Sequence, residues 1–459
     1  MTAWRTARFA WWCALFQIIG GVAGAQLTLA DDIDEPAQSI LTGSRFDAAR
    51  QALKARGIDF GLIGTSEVLS NVQGGQKRGT VYEGKLEGFV AADLEKLMGL
   101  KGLSFYANGF QIHNTGGISR DYVGSIETIS NIEALRTTRL SEIWIEQKFG
   151  EKLSLRAGQL AADTEFFVAE FSEVFITSDW PAIAKANLPA GGPAYPLSTP
   201  GVRLKFEPTQ SFTVLAAIFN GSPSAPGAED PEVQNHYGLN FRVNDPPLAI
   251  AEMQYRYNKE KNASGLYGSW RLGAWYHFGK FDDQRYDAIG LSLADPNSNM
   301  SNRPLAGNSG IYGVVDHQLY RPTGGRPDSG IGMFSRISAS PSDRNPVNFY
   351  LDGGIYSAGM IPGRPDDKFG ATFLYSRISD HVRGLDGDTI VFTGIPQPIR
   401  SYQLSFEFTY RALIMPGWTI QPDFQYIIHP GGNIVDLSAP TPVPVKNAKV
   451  IGVRSVIKF

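Results

Sequence analysis

The sequence predicts an all-β chain folded as a transmembrane antiparallel β-barrel of 16 strands, with 18 as the alternative count and one short helix ahead of the barrel. Three observations lead there. Apolar and polar residues alternate with period two in segments of about ten residues from Ile58 to the end. Tight turns and long loops follow one another as connections, the arrangement of barrels with short turns at one end and long loops at the other. The last segment is itself alternating and closes on Phe459.

Residues 1–25 differ from the rest. Arg5 and Arg8 precede an apolar run from Phe9 to Ile19, and Ala23-Gly24-Ala25 supplies the small residues that a signal peptidase cuts. Gly20, Gly21 and Gly24 interrupt the run too early for a membrane helix, so a secretory signal peptide cleaved after Ala25 is expected. Cleavage takes away Arg5 and Arg8 but no acid, moving the formal net charge from −3 to −5. It also removes Cys13, the only cysteine, and with it any thiol nucleophile or thiolate metal ligand. A mildly acidic chain gives no reason to expect nucleic acid as a partner.

Residues 26–57 read as an extension carrying one amphipathic helix. From Ser44 to Arg56, Phe46, Ala49, Ala52 and Leu53 fall near one stripe, and Gly57 stops the helix. From 58 to 459 the barrel rhythm takes over. Tyr402, Leu404, Phe406, Phe408 and Tyr410 oppose Gln403, Ser405, Glu407, Thr409 and Arg411. Val202, Leu204 and Phe206 oppose Arg203, Lys205 and Glu207. Apolar positions near segment ends are often Tyr, Trp or Phe, as an interfacial aromatic girdle requires.

Tight turns fall at Gly150-Glu151, Pro208-Thr209-Gln210 and Met415-Pro416-Gly417, and long loops over 113–138, 161–199, 280–307, 380–399 and 430–447. About seventeen alternating segments can be counted, an odd number that a single-chain bacterial barrel does not have. Long loops follow odd segments early and even ones later, which puts the surplus segment between about Tyr237 and Gly279. The final segment, Lys449 to Phe459, sends Ile451, Val453, Ile457 and Phe459 outward and Arg454 and Lys458 inward, and its terminal Phe is the type of ending that outer-membrane assembly machinery recognises.

A soluble exported β-protein also alternates, because its outer face is wet, and a carbohydrate-binding protein of that kind stands as the alternative from another class. Catalytic readings are poorly supported. Glu142 and Glu146 lie four apart on a strand, about 13 Å, beyond either glycosidase geometry. The histidines His113, His236, His277, His317, His381 and His429 show no metal-ligand spacing, and no serine is marked as a nucleophile. No cofactor or metal motif is present.

Several stretches resemble the carbohydrate-selective porin (OprB-type) family of bacterial outer membranes. They are the run Arg136 to Phe167, Ala194 to Val202, Val315-Asp316-His317-Gln318, Ser340 to Asn345 and Glu407 to Asn433, in the expected order over about Gly57 to Phe459. The resemblance implies a sixteen-stranded barrel that admits sugars by diffusion; a general or organic-anion porin is the alternative in the same class. It also implies an inward, constriction-lining role for Arg136 and Arg139, which match the family's Arg-x-x-Arg.

A porin needs a polar lumen and a constriction whose side chains replace part of a sugar's hydration. Carboxylates and guanidiniums suit paired hydroxyls, and an aromatic face suits the apolar face of the ring. Alternation groups Glu142, Trp144, Glu146 and Lys148 on one face and, across a tight turn, Lys152, Ser154 and Arg156 on the next. Earlier strands add Lys85, Glu87, Asp93, Tyr106 and Asn108. Asp163, Glu165, Phe166, Phe167 and Trp180 lie in the long segment 161–199, whose five prolines over 181–200 suit a loop that folds inward. Expected partners are sugars, outer-membrane lipid and, through Phe459, the barrel assembly machinery; the expected location is the outer membrane.

Overall fold

The computed structural model describes residues 39–227, 229–259, 263–326 and 329–459. The expected signal peptide, and residues 26–38 of the expected extension, lie outside the described residues. Sixteen strands follow in order: β1 (Ile58–Gly75), β2 (Gly79–Asp93), β3 (Leu103–Asn114), β4 (Thr137–Phe149), β5 (Leu153–Leu160), β6 (Thr199–Thr209), β7 (Phe212–Asn220) and β8 (Pro247–Tyr257). The second half comprises β9 (Gly268–Asp287), β10 (Asn302–Tyr320), β11 (Gly330–Ala339), β12 (Val347–Ala358), β13 (Lys368–Ile378), β14 (Tyr402–Met415), β15 (Trp418–Ile428) and β16 (Lys446–Lys458). Each pairs antiparallel with its neighbours in sequence, and β1 pairs β16 to close the barrel. Closure leaves the described barrel without an edge strand, and only the hairpin extension of β9 and β10 runs beyond the ladders of β8 and β11.

The predicted helix runs over Arg45–Ala55, with the Ser44 hydroxyl accepting the Asp47 N–H at 3.1 Å as its N-cap. Gly57, at φ +99°, turns the chain into β1. Just before the helix, the Ile40 N–H donates to Lys458 O at 2.9 Å, placing this segment at the short-turn end. There Gly417 makes the two-residue β14–β15 turn at φ +80°, and a Cβ on it would lie 2.3 Å from the Ile40 nitrogen.

The two faces of the wall are inverted relative to a soluble protein. On β14, inward Gln403 and Glu407 are fully buried while outward Phe408 is 47% exposed. Outward Ile218, Leu272 and Ile311 are likewise exposed. An apolar exterior on a polar interior is stable in lipid, not in water. Aromatic rings edge that band. Phe349, Tyr375 and Tyr402 adjoin outside the long-loop end, at 6.3 and 5.5 Å between centroids. On β13 Phe369 lies six residues from Tyr375, about 20 Å along the strand, beside Tyr410.

Two loop expectations need correction. Half of the segment 280–307 is strand: β9 and β10 continue as a long hairpin and leave only 288–301 as connection. A long connection at 221–246 was not expected, and it holds the surplus segment. Tyr237, Leu239, Phe241 and Val243 alternate as a strand would and are all exposed, but this stretch lies beside the top of β4 without joining the ladder beyond one bond, Leu140 N–H to Tyr237 O at 3.0 Å. An apolar stripe on a rim loop has the period of a strand, so periodicity alone miscounts it.

Candidate functional site

The loop 161–198 leaves the wall because β5 is short. At its first residue the Ala161 N–H donates to Glu142 Oε1 at 2.9 Å, and the chain turns inward. It then follows the barrel interior, tied by inward side chains of successive strands. Glu252 on β8 accepts the Phe167 N–H at 3.1 Å, and Asp316 on β10 accepts that of Phe171 at 2.9 Å. Glu407 on β14 accepts the N–H groups of Ile176 and Thr177 at 2.8 and 3.1 Å. Arg336 on β11, paired with Asp352 of β12, donates to Asp179 O at 2.9 Å, and Gln421 on β15 donates to Val174 O at 2.7 Å. Loop polar groups that would be stranded in a lumen are thus satisfied by the wall.

Rings reinforce these ties. Phe167 stacks on Tyr312 with centroids 3.5 Å apart, Phe171 meets Tyr356 at 4.6 Å, and Phe175 meets Phe334 at 5.8 Å. The loop 115–136 enters from the long-loop end in the same way. Gln403 accepts the Ile126 N–H at 3.0 Å, Gln425 donates to Ile129 O at 2.9 Å, and Ile118, Val123 and Ile129 pack on Leu69, Ile427 and Val450.

Opposite the loop anchors, four charged side chains close a ring of ion pairs. Glu146 on β4 pairs with Arg156 on β5 at 2.7 Å, Arg156 with Glu165 of the loop at 3.4 Å, Glu165 with Arg203 on β6 at 2.9 Å, and Arg203 back to Glu146 at 3.2 Å. Two guanidiniums and two carboxylates cancel locally. Burial by itself would raise the Glu165 carboxyl, but Arg156 and Arg203 hold it below the usual carboxylate range. Its side chain is 18% exposed, the most open of the four.

The Arg156 guanidinium also lies over the Trp144 indole, 3.8 Å from its centroid. Tyr106 stacks beside Trp144 at 5.0 Å and 28°, and Phe89 beside Tyr106 at 6.2 Å and 25°. Trp144 is only 5% exposed, so the accessible rings of this row are Tyr106 and Phe89. On the same wall Lys85 pairs with Glu87 at 3.0 Å, Asn108 donates to Glu87 at 3.2 Å, and the Lys85 ammonium sits 4.8 Å from the Phe110 ring.

The structure therefore brings together Lys85, Glu87, Tyr106, Glu142, Trp144, Glu146, Arg156 and Glu165. The remaining candidates lie elsewhere. Arg139 is buried toward the long-loop end, paired with Glu232 at 3.4 Å. Arg136, placed with it on the resemblance, is exposed and falls on the opposite side of the alternation. Asp163 accepts the Tyr195 N–H at 2.8 Å inside the loop, where burial pushes its carboxyl up to about 6. Trp180 donates to Phe166 O at 3.1 Å and packs on Phe167, so it braces the loop.

Sequence reasoning placed Arg203 on the polar face of β6 without assigning it to the site. The missing information was register, which sets Arg203 directly opposite Arg156. Phe89 was missed because a lone aromatic in a mixed strand carries no signal until its neighbours are known. Above this cluster the loops 115–136, 161–198 and 221–246 enclose a polar cavity of about 320 Å³, lined by Glu127, Glu133, Asp179, Lys185 and Glu232 among others.

Comparison with known proteins agrees with this architecture. The family described as carbohydrate-selective porin, OprB family, matches residues 77–459. Porin B of Pseudomonas aeruginosa is 24% identical over 428 residues, covering 88% of each chain. The high-pH structure of Pseudomonas putida OprB superposes with a TM-score of 0.78 at 22% identity, covering 92% of this chain and 99% of that one. The low-pH structure of the same protein gives 0.52 at 17% identity, covering 93% and 100%. With that match spanning most of its length, the chain belongs to the carbohydrate-selective porin family and is a β-barrel channel of the outer membrane.

Proposed function

We propose that this chain is a passive channel for glucose-like sugars, selecting at the neutral charge ring and the aromatic row beside it. The observation that carries this reading is the closed Glu146–Arg156–Glu165–Arg203 ring set against Trp144 and Tyr106. A ring of cancelling charges attracts neither anion nor cation strongly, yet its partly open member offers hydroxyl partners at fixed spacing. The neighbouring rings suit the apolar face of a pyranose. Arginine or lysine in excess would favour organic anions, and here each guanidinium meets a carboxylate.

Passage through such a site requires no catalytic group and no cofactor. Residues 1–25 act as the export signal, cleaved after Ala25, and residues 26–57 remain as an extension ahead of the barrel. The outward band faces outer-membrane lipid, and Phe459 at the end of β16 is read by the barrel assembly machinery.

The test is conductance of the purified protein in planar bilayers, with glucose titrated against an organic anion of similar size, alongside liposome swelling. Ohmic channels partly blocked by glucose, and faster swelling in sugar than in the anion, are expected. Channels that pass both solutes without block would reduce the reading to a general porin.

A further inference from the structure

The interior of the barrel is not equally open around its circumference. Inward side chains of β9 to β13 are buried along the strands, apart from the long-hairpin extension of β9 and β10 and the short-turn ends. They face the loop 161–198 and the rings that hold it or, at Ser376 and His277, the loops 115–136 and 221–246. On β2 and β3 the inward positions toward the short-turn end, from Lys85 to Ala91 and at Ser104 and Tyr106, stay partly open. Glu87 retains 20% and Lys85 15% of its side-chain exposure, beside the stacked rings of Phe89 and Tyr106.

We propose that sugar passes along the β2–β3 side of the lumen, with Phe89 and Tyr106 forming an exit subsite for the apolar face of a pyranose and Glu87 and Lys85 meeting its hydroxyls. The inference rests on the porin reading and specifies where in the lumen that function occurs. Its physical basis is the asymmetry of satisfaction. Carboxylates of β8, β10 and β14 accept loop N–H groups at 2.8–3.1 Å, and the Tyr312, Tyr356 and Phe334 rings pack on loop phenylalanines with centroids 3.5–5.8 Å apart, so they have no surface to offer a solute. Lys85 and Glu87 pair with each other, Asn108 beneath them donates to Glu87 while accepting the Glu142 N–H at 2.8 Å, and the Lys85 ammonium lies beside the Phe110 and Tyr195 rings, so no loop backbone takes the hydrogen bonds of this pair and both members keep exposure. Two adjacent near-parallel rings let a sugar exchange one stacking partner for the next without full rehydration.

Single thiols test the path, since Cys13 is the sequence's only cysteine. Ala91→Cys and Ser104→Cys lie on the proposed path, and Ser338→Cys and Thr372→Cys on the loop-covered wall. A charged methanethiosulfonate added to open channels is expected to modify the first pair and cut conductance several-fold. The second pair is expected to react only after heat denaturation in detergent. Equal modification of all four in folded channels would overturn the one-sided path. For the subsite, Phe89→Leu and Tyr106→Leu keep bulk and remove a ring, and each is expected to raise the half-blocking glucose concentration about three- to tenfold. Unchanged block in both would overturn the subsite. A parent protein that conducts but ignores glucose would instead refute the sugar-porin reading, so the two failures are distinguishable.

Discussion

Two walls of one barrel follow the same alternation and serve different ends. On the β8–β15 wall, inward Glu252, Asp316, Arg336 and Glu407 are spent on the backbone of a loop. On the β2–β6 wall, inward Lys85, Glu87, Glu146, Arg156 and Arg203 pair mainly with one another and with one loop carboxylate, Glu165. A buried polar side chain in a barrel lumen is therefore no sign of a solute contact. What separates an anchor from a lining residue is whether loop backbone has already taken its hydrogen bonds.

The harshest challenge to this contrast is Arg336→Ala. It leaves Asp352 buried without its cation and frees the Asp179 carbonyl, and about 3–5 kcal/mol of stability should be lost. The thermal midpoint in detergent, read by circular dichroism, should fall accordingly; an unchanged midpoint would mean that the loop is not held from this side. Next in size is Arg156→Ala on the opposite wall. Arg203 alone would then face Glu146 and Glu165, so glucose block should weaken about tenfold and the zero-current potential should shift toward cation selectivity. A large drop in midpoint with unaltered selectivity would make Arg156 an anchor and erase the distinction.

Glu127 sharpens the comparison through pH. Its carboxyl sits in the loop 115–136 and accepts the Ser376 hydroxyl, and burial pushes it up to about 7. A carboxyl raised in the folded state favours docking while protonated, so its stabilisation is full below the ordinary carboxylate pKa and is lost as pH rises through about 7. Channels should be steadier at pH 5 than at pH 8, and Glu127→Gln should shrink the difference, with the raised Asp163 carboxyl contributing in the same sense; open-channel noise records measure both. The smallest effect belongs to Arg136→Ala. As an exposed side chain it should change stability by no more than about 0.5 kcal/mol and leave glucose block as it was, whereas a clear loss of block would restore it to the constriction.

The sequence by itself determined which side chains face inward, where the short turns fall and which segment ends the barrel, because period-two alternation is a local property of a strand with lipid on one side. The helix at Arg45–Ala55 was readable from its stripe and from Gly57 as its stop for the same reason. What local pattern could not settle was anything that depends on register or on a loop's return path. The stripe from Tyr237 to Val243 alternates without being a strand. Arg203 becomes part of the charge ring only because β5 and β6 pair it with Arg156. Asp163 and Trp180 were placed in the right loop, but the tertiary fold turns both into the loop's own interior. Inward direction is fixed by adjacent residues, whereas what an inward side chain meets is fixed by segments up to hundreds of residues away, and only the closed barrel brings those together.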